Sequence, residues 1–269
     1  MQTPDISIPG LFFAFLLLVV PAIVIWRIRL PMLRESMVAM GRMVIQLSLA
    51  GVYLTVLFEI DNAVLNVLWL LLMIGVAAFE AVRKERLSLR LMYAPTMIAF
   101  AAGTMSILLY FQVLVLENET ILAAQLLIPI AGMLLGNSLG NTIVAINNFS
   151  RNLHRNQNRY LSSLGFGATK MEGLMPYFRE ALASALKPSL GNIAVMGIVF
   201  LPGLMTGQLI AGLSPVIAIK YQISILIAIY SSTVICVTLA IYATTIIGFD
   251  EFGLIKEDMF SGPVKRERI

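Results

Sequence analysis

The chain is 269 residues long, 59% hydrophobic and only 13% charged, with a mean hydropathy of +0.88. No soluble domain of this length could bury so much apolar surface, so the composition excludes a water-soluble globule and implies an integral membrane protein. One cysteine, Cys236, and one histidine, His154, exclude a disulfide framework within the chain and the usual histidine or cysteine metal clusters.

A hydrocarbon core about 30 Å thick takes roughly 20 apolar residues of helix. The first such run, GLFFAFLLLVVPAIVIW at 10–26, is followed by Arg27 and Arg29 and has no basic residue before it. That order is the reverse of a signal peptide's, so the run is expected to stay as a membrane helix. Next, LPMLRESMVAMGR sets Leu33, Met37 and Met40 on one helical face and turns Arg34, Glu35 and Ser36 away, which predicts an elbow helix lying along the inner interface. Further spans are expected over 43–60, 63–82, 91–116, 121–148, 189–212 and 216–248. The second is short for a crossing, and the fifth is long enough to project beyond the membrane.

Charge tests this division independently, because cytoplasmic connections should hold the Lys and Arg. With alternate connections assigned to one side, that side receives every one of the 19 basic residues except Lys220. They lie at Arg27–Arg42, Arg83–Arg90, Arg151–Lys187 and Lys256–Arg268. The opposite side carries Asp5, Glu59, Asp61, Glu117 and Glu119. The expected fold class is therefore an all-α membrane protein with about seven transmembrane helices in a single transmembrane domain over 1–269. Its N-terminus lies outside, its C-terminus in the cytoplasm, and a long cytoplasmic loop spans 150–188. The basic pI is a topology signal, and no nucleic-acid partner is expected. The tail from about Glu251, with KEDMFSGPVKRERI, is expected to be a solvated end.

The loop at 150–188 is the one large cytoplasmic segment. Its second half, KMEGLMPYFREALASALK, places Met171, Leu174, Met175, Phe178, Leu182 and Ala185 at helical spacing, an amphipathic stripe that needs membrane or protein against it. An interfacial connector and a docking surface for a partner subunit both answer that need.

The run GATKMEGLMPYFREALASALKPSLGNIAVMGIVFLPGLMTGQLIAGLSPVIAIKYQI, with GNSLGNTIVAINN upstream, resembles the FetB-type ABC-transporter permeases. That family includes bacterial permeases assigned to iron export and plant permeases of the aluminium-tolerance system implicated in moving UDP-glucose. The resemblance is concentrated over about 125–230, where LPGLMTGQ followed by SPVIAIKYQI is highly specific. It implies the membrane half of a transporter that forms a homodimer with two separately encoded P-loop ATPase subunits docked on its cytoplasmic loops, working as an exporter in the bacterial inner membrane. No GxxxxGK[ST] occurs in the chain, so any ATP would be used by the partner, with no cofactor and no catalytic residue expected here. The implied coupling patch is Tyr160, Leu161, Gly165, Gly167, Ala168 and Thr169. Asn158 and Arg159 stand where related coupling loops carry an acidic residue.

Polar residues inside the spans are few. Gly132, Gly136 and Gly140 recur every four residues in span five, the spacing of a helix-packing seam. Asn137 and Asn141 form a neighbouring strip about 100° round the helix, and either bond a neighbouring helix or line the substrate path. Lys220, the one basic residue against the charge pattern, either snorkels at the outer end or joins Gln208 and Gln222 at an outer gate. Gly203 to Pro215 is expected to bend or re-enter. Glu80, beside Arg83 and Lys84, reads as an interfacial ion pair. Glu59 and Asp61 make either an acidic outer mouth or a solvated turn. The 15 methionines are scattered, as core filling requires and metal ligation does not. A secondary transporter would need intramembrane acids in matched halves, and a membrane enzyme would need clustered His, Asp or Glu; neither pattern occurs.

Overall fold

A computed structural model describes residues 7–116, 121–250, 253, 254, 256 and 259. The helices are α1 (Ile8–Leu16), α2 (Val19–Arg27), α3 (Leu33–Ile60), α4 (Ala63–Lys84), α5 (Leu89–Tyr110), α6 (Ala124–Arg155), α7 (Gln157–Gly165), α8 (Lys170–Val195), α9 (Gly203–Ile210) and α10 (Pro215–Ile247). A π-turn at Phe111–Val115 extends α5. Among the described residues six helices, with α1 and α2 counted as one, are long and apolar enough to cross a membrane. The protein is an all-α integral membrane protein, the helical kind that populates inner rather than outer membranes.

Helices α4, α5, α6 and α10 make the central bundle, with α8 laid along α6. The tightest crossing is between α5 and α10, where Gly103 faces the backbone of Ser232 and Cys236. A Cβ at Gly103 would collide with the Cys236 thiol and lie 3.1 Å from both Ser232 O and Cys236 N. The hydroxyls of Thr104, Ser138 and Ser232 surround that thiol, so three helices meet around one small polar knot in an otherwise apolar core. The first helices stand apart: among the described residues no side chain of α1 or α2 is fully buried, and in α3 only that of Leu57 is. Its contacts with α4 are local, as where Tyr53 meets Trp69 with ring centroids 4.5 Å apart.

The basic segments collect at one end of the bundle. There Arg42 reaches Glu80 at 3.6 Å and Arg83 flanks the same carboxylate at 4.0 Å, the ion pair expected of Glu80. Asn147 donates to Glu85, and the Ser88 amide donates to the Met259 carbonyl. At the opposite end Asp61 accepts from the Ala124 amide at 2.8 Å, and from Asn66, whose amide also donates to Leu122 O. Asp61 is exposed in the turn between α3 and α4, as a solvated turn requires, and its carboxylate also reaches the start of α6, where the helix dipole favours it. Asp5, Glu117, Glu119, Lys265, Arg266 and Arg268 lie outside the described residues.

Three expectations are corrected. The span over 189–212 is not one helix. Its first part belongs to α8, which runs unbroken from Lys170 through Pro188 to Val195; the chain then breaks at 196–202 and resumes as α9. Gly197 has φ 83° and its amide donates to Phe200 O, a turn open mainly to glycine, while Pro202 disfavours helix at Leu201. A second turn at Gly212, φ 88°, returns the chain into α10. The elbow helix does not form, because nothing in LPMLRESMVAMGR stops a helix and α3 starts at Leu33 and continues to Ile60. The tail is not simply solvated. Phe249 and Met259 are buried, and the Tyr160 hydroxyl donates to Gly253 O at 2.9 Å.

Candidate functional site

Two places carry the polar and exposed features expected of function, and α6 and α8 connect them. The first is a cleft of about 170 Å³ where α6, α8, the 196–202 break and α10 meet. Its polar lining is Asn137, Ser189, Asn192, Tyr230 and Thr233, with Phe200 and Met196 among its apolar walls. Asn141 lies next to it, accepting from the Ser189 hydroxyl at 3.3 Å. Asn137 and Asn141 each donate to the carbonyl one turn back on their own helix, at 2.9 and 3.0 Å. Thr233 is buried and its hydroxyl has no hydrogen-bond partner. The donors and acceptors here are amides and hydroxyls, a set that suits neutral polar groups and can replace water around a solute without fixed charge.

The depth of this cleft follows from the helix that carries it. Asn147 marks the inner end of α6 through Glu85, and Ala124 marks the outer end through Asp61. At 1.5 Å per residue, Asn137 lies about 15 Å from the first level and about 20 Å from the second, near the bilayer centre. A second, larger groove of about 440 Å³ adjoins it across Ile193, Met196 and Leu226, lined chiefly by apolar side chains together with Gln222.

The expected path residues are therefore only partly brought together. Asn137 and Asn141 sit at the cleft. Gln222 is buried in the adjoining groove with its Oε1 unpartnered, and Gln208 Oε1 is likewise buried without a partner. Lys220 is exposed near the start of α10 and lines neither cavity. The glycine strip divides: a Cβ on Gly132 would touch Met73 of α4 at 3.5 Å, whereas Gly136 and Gly140 have nothing within 4 Å. Sequence reasoning passed over Ser189, Asn192, Tyr230 and Thr233. For Asn192 a signal existed, since Gly191-Asn192 repeats the Gly-Asn pairs at 136–137 and 140–141.

The second place is the tip between α7 and α8, at the end of the bundle where the basic segments collect. Gly165 and Gly167 flank Phe166, which is 92% exposed, and Gly167 holds φ 92°. The turn is well defined on both sides. Thr169 and Glu172 form a reciprocal capping box that starts α8, and the hydrogen bonds from Thr169 hold the Glu172 carboxyl below the ordinary carboxylate range. Tyr160 is buried, with its ring edge-on to Phe249 at 6.2 Å and packed close to Gly173. It supports the tip from within and so is not available as a contact residue. Leu161 and Ala168 are half-buried, while Gly165, Gly167 and Thr169 are exposed. Arg151, Arg155 and Arg159 are exposed along the approach to the tip. Phe166 was the residue missed, although an aromatic between two glycines on a polar loop is an anomaly visible in the sequence.

At the inner end, Glu85 is half-buried and burial pushes its carboxyl above the ordinary range, partly opposed by the bond from Asn147. A carboxyl whose folded pKa is raised penalises the fold when ionised, so the penalty is present above that pKa and is relieved as pH falls through it. Glu85→Gln keeps an acceptor for Asn147 and removes the charge. Its melting temperature should exceed the wild type's most at pH 8 and converge with it toward pH 5; a pH-independent difference would rule out burial as the cause.

The protein-family profile described as "Uncharacterised protein family (UPF0014)" matches residues 8–247. The chain is 29% identical over 244 residues to the "Probable iron export permease protein FetB" of Escherichia coli K12, covering 91% of this chain and 93% of that protein. It is 30% identical over 204 residues to "UPF0014 membrane protein slr1647" of Synechocystis, covering 76% and 78%. It is 32% identical over 192 residues to "Protein ALUMINUM SENSITIVE 3" of Arabidopsis thaliana, covering 71% and 69%. No solved structure matches.

Proposed function

The chain belongs to the UPF0014 family, and on that premise we propose that it is the membrane-spanning permease subunit of an ABC exporter, paired with a second copy and driven by a separate P-loop ATPase that uses the ATP. One observation carries this reading: α8 runs without interruption from Lys170, beside the tip at Phe166, to the amide-lined cleft, while α6 runs from that cleft to Arg155, where α7 takes the chain on to the tip. A push on the tip is thereby delivered to Asn192 directly through α8, and to Asn137 through α7 and α6. Binding and hydrolysis of ATP in the partner would bias the cleft between inward-open and outward-open states, with no covalent chemistry in this chain.

The name of the Escherichia coli relative favours iron as cargo. A nucleotide sugar or other polar solute is the second reading, favoured by the amide and hydroxyl lining and by the aromatic rings of Phe200 and Tyr230 at the cleft. Co-reconstitution with the ATPase in lipid nanodiscs, followed by measurement of ATP hydrolysis with ferrous iron or nucleotide sugars, decides between them. A flat response to both would reject both cargoes.

On this reading Asn192→Leu should lower solute-stimulated hydrolysis by about fivefold, the equivalent of one hydrogen bond of about 1 kcal/mol. Lys220→Glu, at a position outside both cavities, should leave it near the wild-type rate. The reverse result would move the path to the outer end of α10.

A further inference from the structure

We propose that the groove between α8, the 196–202 break, α9 and α10 holds a resident anionic phospholipid, with one acyl chain lying in the groove and the phosphate on Lys220. The lipid is a ligand of the chain and not its cargo, so the inference goes beyond the permease reading and stands whichever solute is moved.

The groove has the size and lining that an acyl chain needs. Its volume of about 440 Å³ is that of a ligand pocket, and Gln222 is the one polar side chain among the described residues that line it. From Ile219 to Ile227 it follows α10 for about 12 Å, most of one leaflet of a hydrocarbon core about 30 Å thick. The break beside it turns Ile198, Val199, Phe200 and Leu201 outward. Its amides at 196–199 are already bonded within the chain, to the carbonyls of Ile193, Phe200 and Val195, so these donors need nothing from the surroundings.

Gln222 sets the depth of the lipid. It stands fourteen residues before Cys236 on α10, as Ala124 stands fourteen before Ser138 on α6, and Ser138 meets Cys236 at the core knot. Both helices run toward the basic end, where Gly248 packs on Met259 and Met259 accepts from Ser88. Gln222 therefore lies near the level of Ala124 and Asp61, at the opposite boundary of the membrane, where lipid ester groups lie. The side chain is 6% exposed and its Oε1 has no partner, so an otherwise apolar groove holds one amide that calls for a partner. Ester carbonyls and the water around them offer an acceptor and a donor at that depth.

Lys220 selects the headgroup. It shares a helical face with Ile223 and Ile227, three and seven residues on, and a side chain there leans toward the start of α10, away from the membrane centre. The residue is exposed, and among the described residues no carboxylate pairs with it. It is also the one basic residue that the charge pattern leaves at this end. A single cation over the mouth of a groove long enough for an acyl chain suits a lipid with net negative charge, whereas a zwitterionic lipid brings its own cation beside the phosphate.

Photolabelling of the full chain in lipid nanodiscs tests this. The probe is a phosphatidylglycerol with a diazirine on one acyl chain, and the labelled peptides are read by mass spectrometry. Label should fall on 193–205 and 219–227. Lys220→Gln should lower it about fivefold, the effect of one lysine near an anionic membrane surface, while Arg90→Gln at the other end leaves it unchanged. Ile223→Trp, which fills the groove, should remove it from a protein whose size-exclusion profile is unaltered. Equal labelling by a phosphatidylcholine probe, or undiminished labelling of Lys220→Gln, would overturn the inference. Label absent from the groove, as when a second copy covers it, would do the same.

Discussion

Gly103→Leu should abolish accumulation of folded protein, and Gly103→Ala should leave it but with a clearly lowered melting temperature. The reason is the crossing of α5 and α10, where even one added carbon would overlap the Cys236 thiol and press on the Ser232 carbonyl and Cys236 amide. Overpacking a tight core costs about 1–3 kcal/mol, more when backbone must yield. The thiol can be removed and the backbone cannot. Cys236→Ala should therefore rescue part of the loss in Gly103→Ala and none of it in Gly103→Leu, read by size-exclusion profile and thermal unfolding in detergent. Full rescue of the leucine variant would show that the helices can separate without penalty.

Phe166→Ala should weaken association with the ATPase by about 30-fold or more, since an exposed aromatic anchor entering a pocket contributes about 2 kcal/mol or more at such interfaces. The tip is suited to that role because the capping box and the buried Tyr160 hold it rigid, so little conformational freedom is lost on docking. Asn147 lies at the inner interface and α6 continues eight residues further, about 12 Å, before α7 begins. That reach favours a cytoplasmic protein over lipid headgroups as the partner. Gly167→Val should uncouple hydrolysis from transport, because a φ of 92° is strained for any side chain. The two variants separate affinity from transmission: one is read by binding, the other by the ratio of solute moved to ATP consumed. Unchanged binding in Phe166→Ala would return the contact to the glycine and alanine residues of the loop.

Much of this architecture was legible before the fold was seen. Arg42, Glu80, Arg83 and Asn147 do gather at the end that the basic residues mark, and α6 does outrun the membrane. The resemblance over 125–230 pointed to the loop, where Gly165 and Gly167 are exposed and Gly167 turns the chain at φ 92°. The errors share a different origin. Tyr160 looked like a contact residue until the C-terminal segment was seen to cover it through Gly253. Asp61 stays exposed, but its bond from Ala124, 63 residues away, could not be read from a local turn. The span at 189–212 failed because hydropathy is indifferent to Gly197 and Pro202, which break the helix without making the segment less apolar.

The sequence by itself determined that this protein lives in a bilayer, that it is helical, and which ends of its helices carry the basic residues. Those properties depend on each residue's own exchange between water, lipid and charge, so composition and order carry them. Only the tertiary structure decided which side of α6 is covered. Gly132 and Gly136 are one turn apart and chemically identical, yet one meets Met73 and the other meets nothing. That difference is made by helices distant in sequence, and it is what turns a row of glycines and asparagines into a packed seam on one side and an open, polar face on the other.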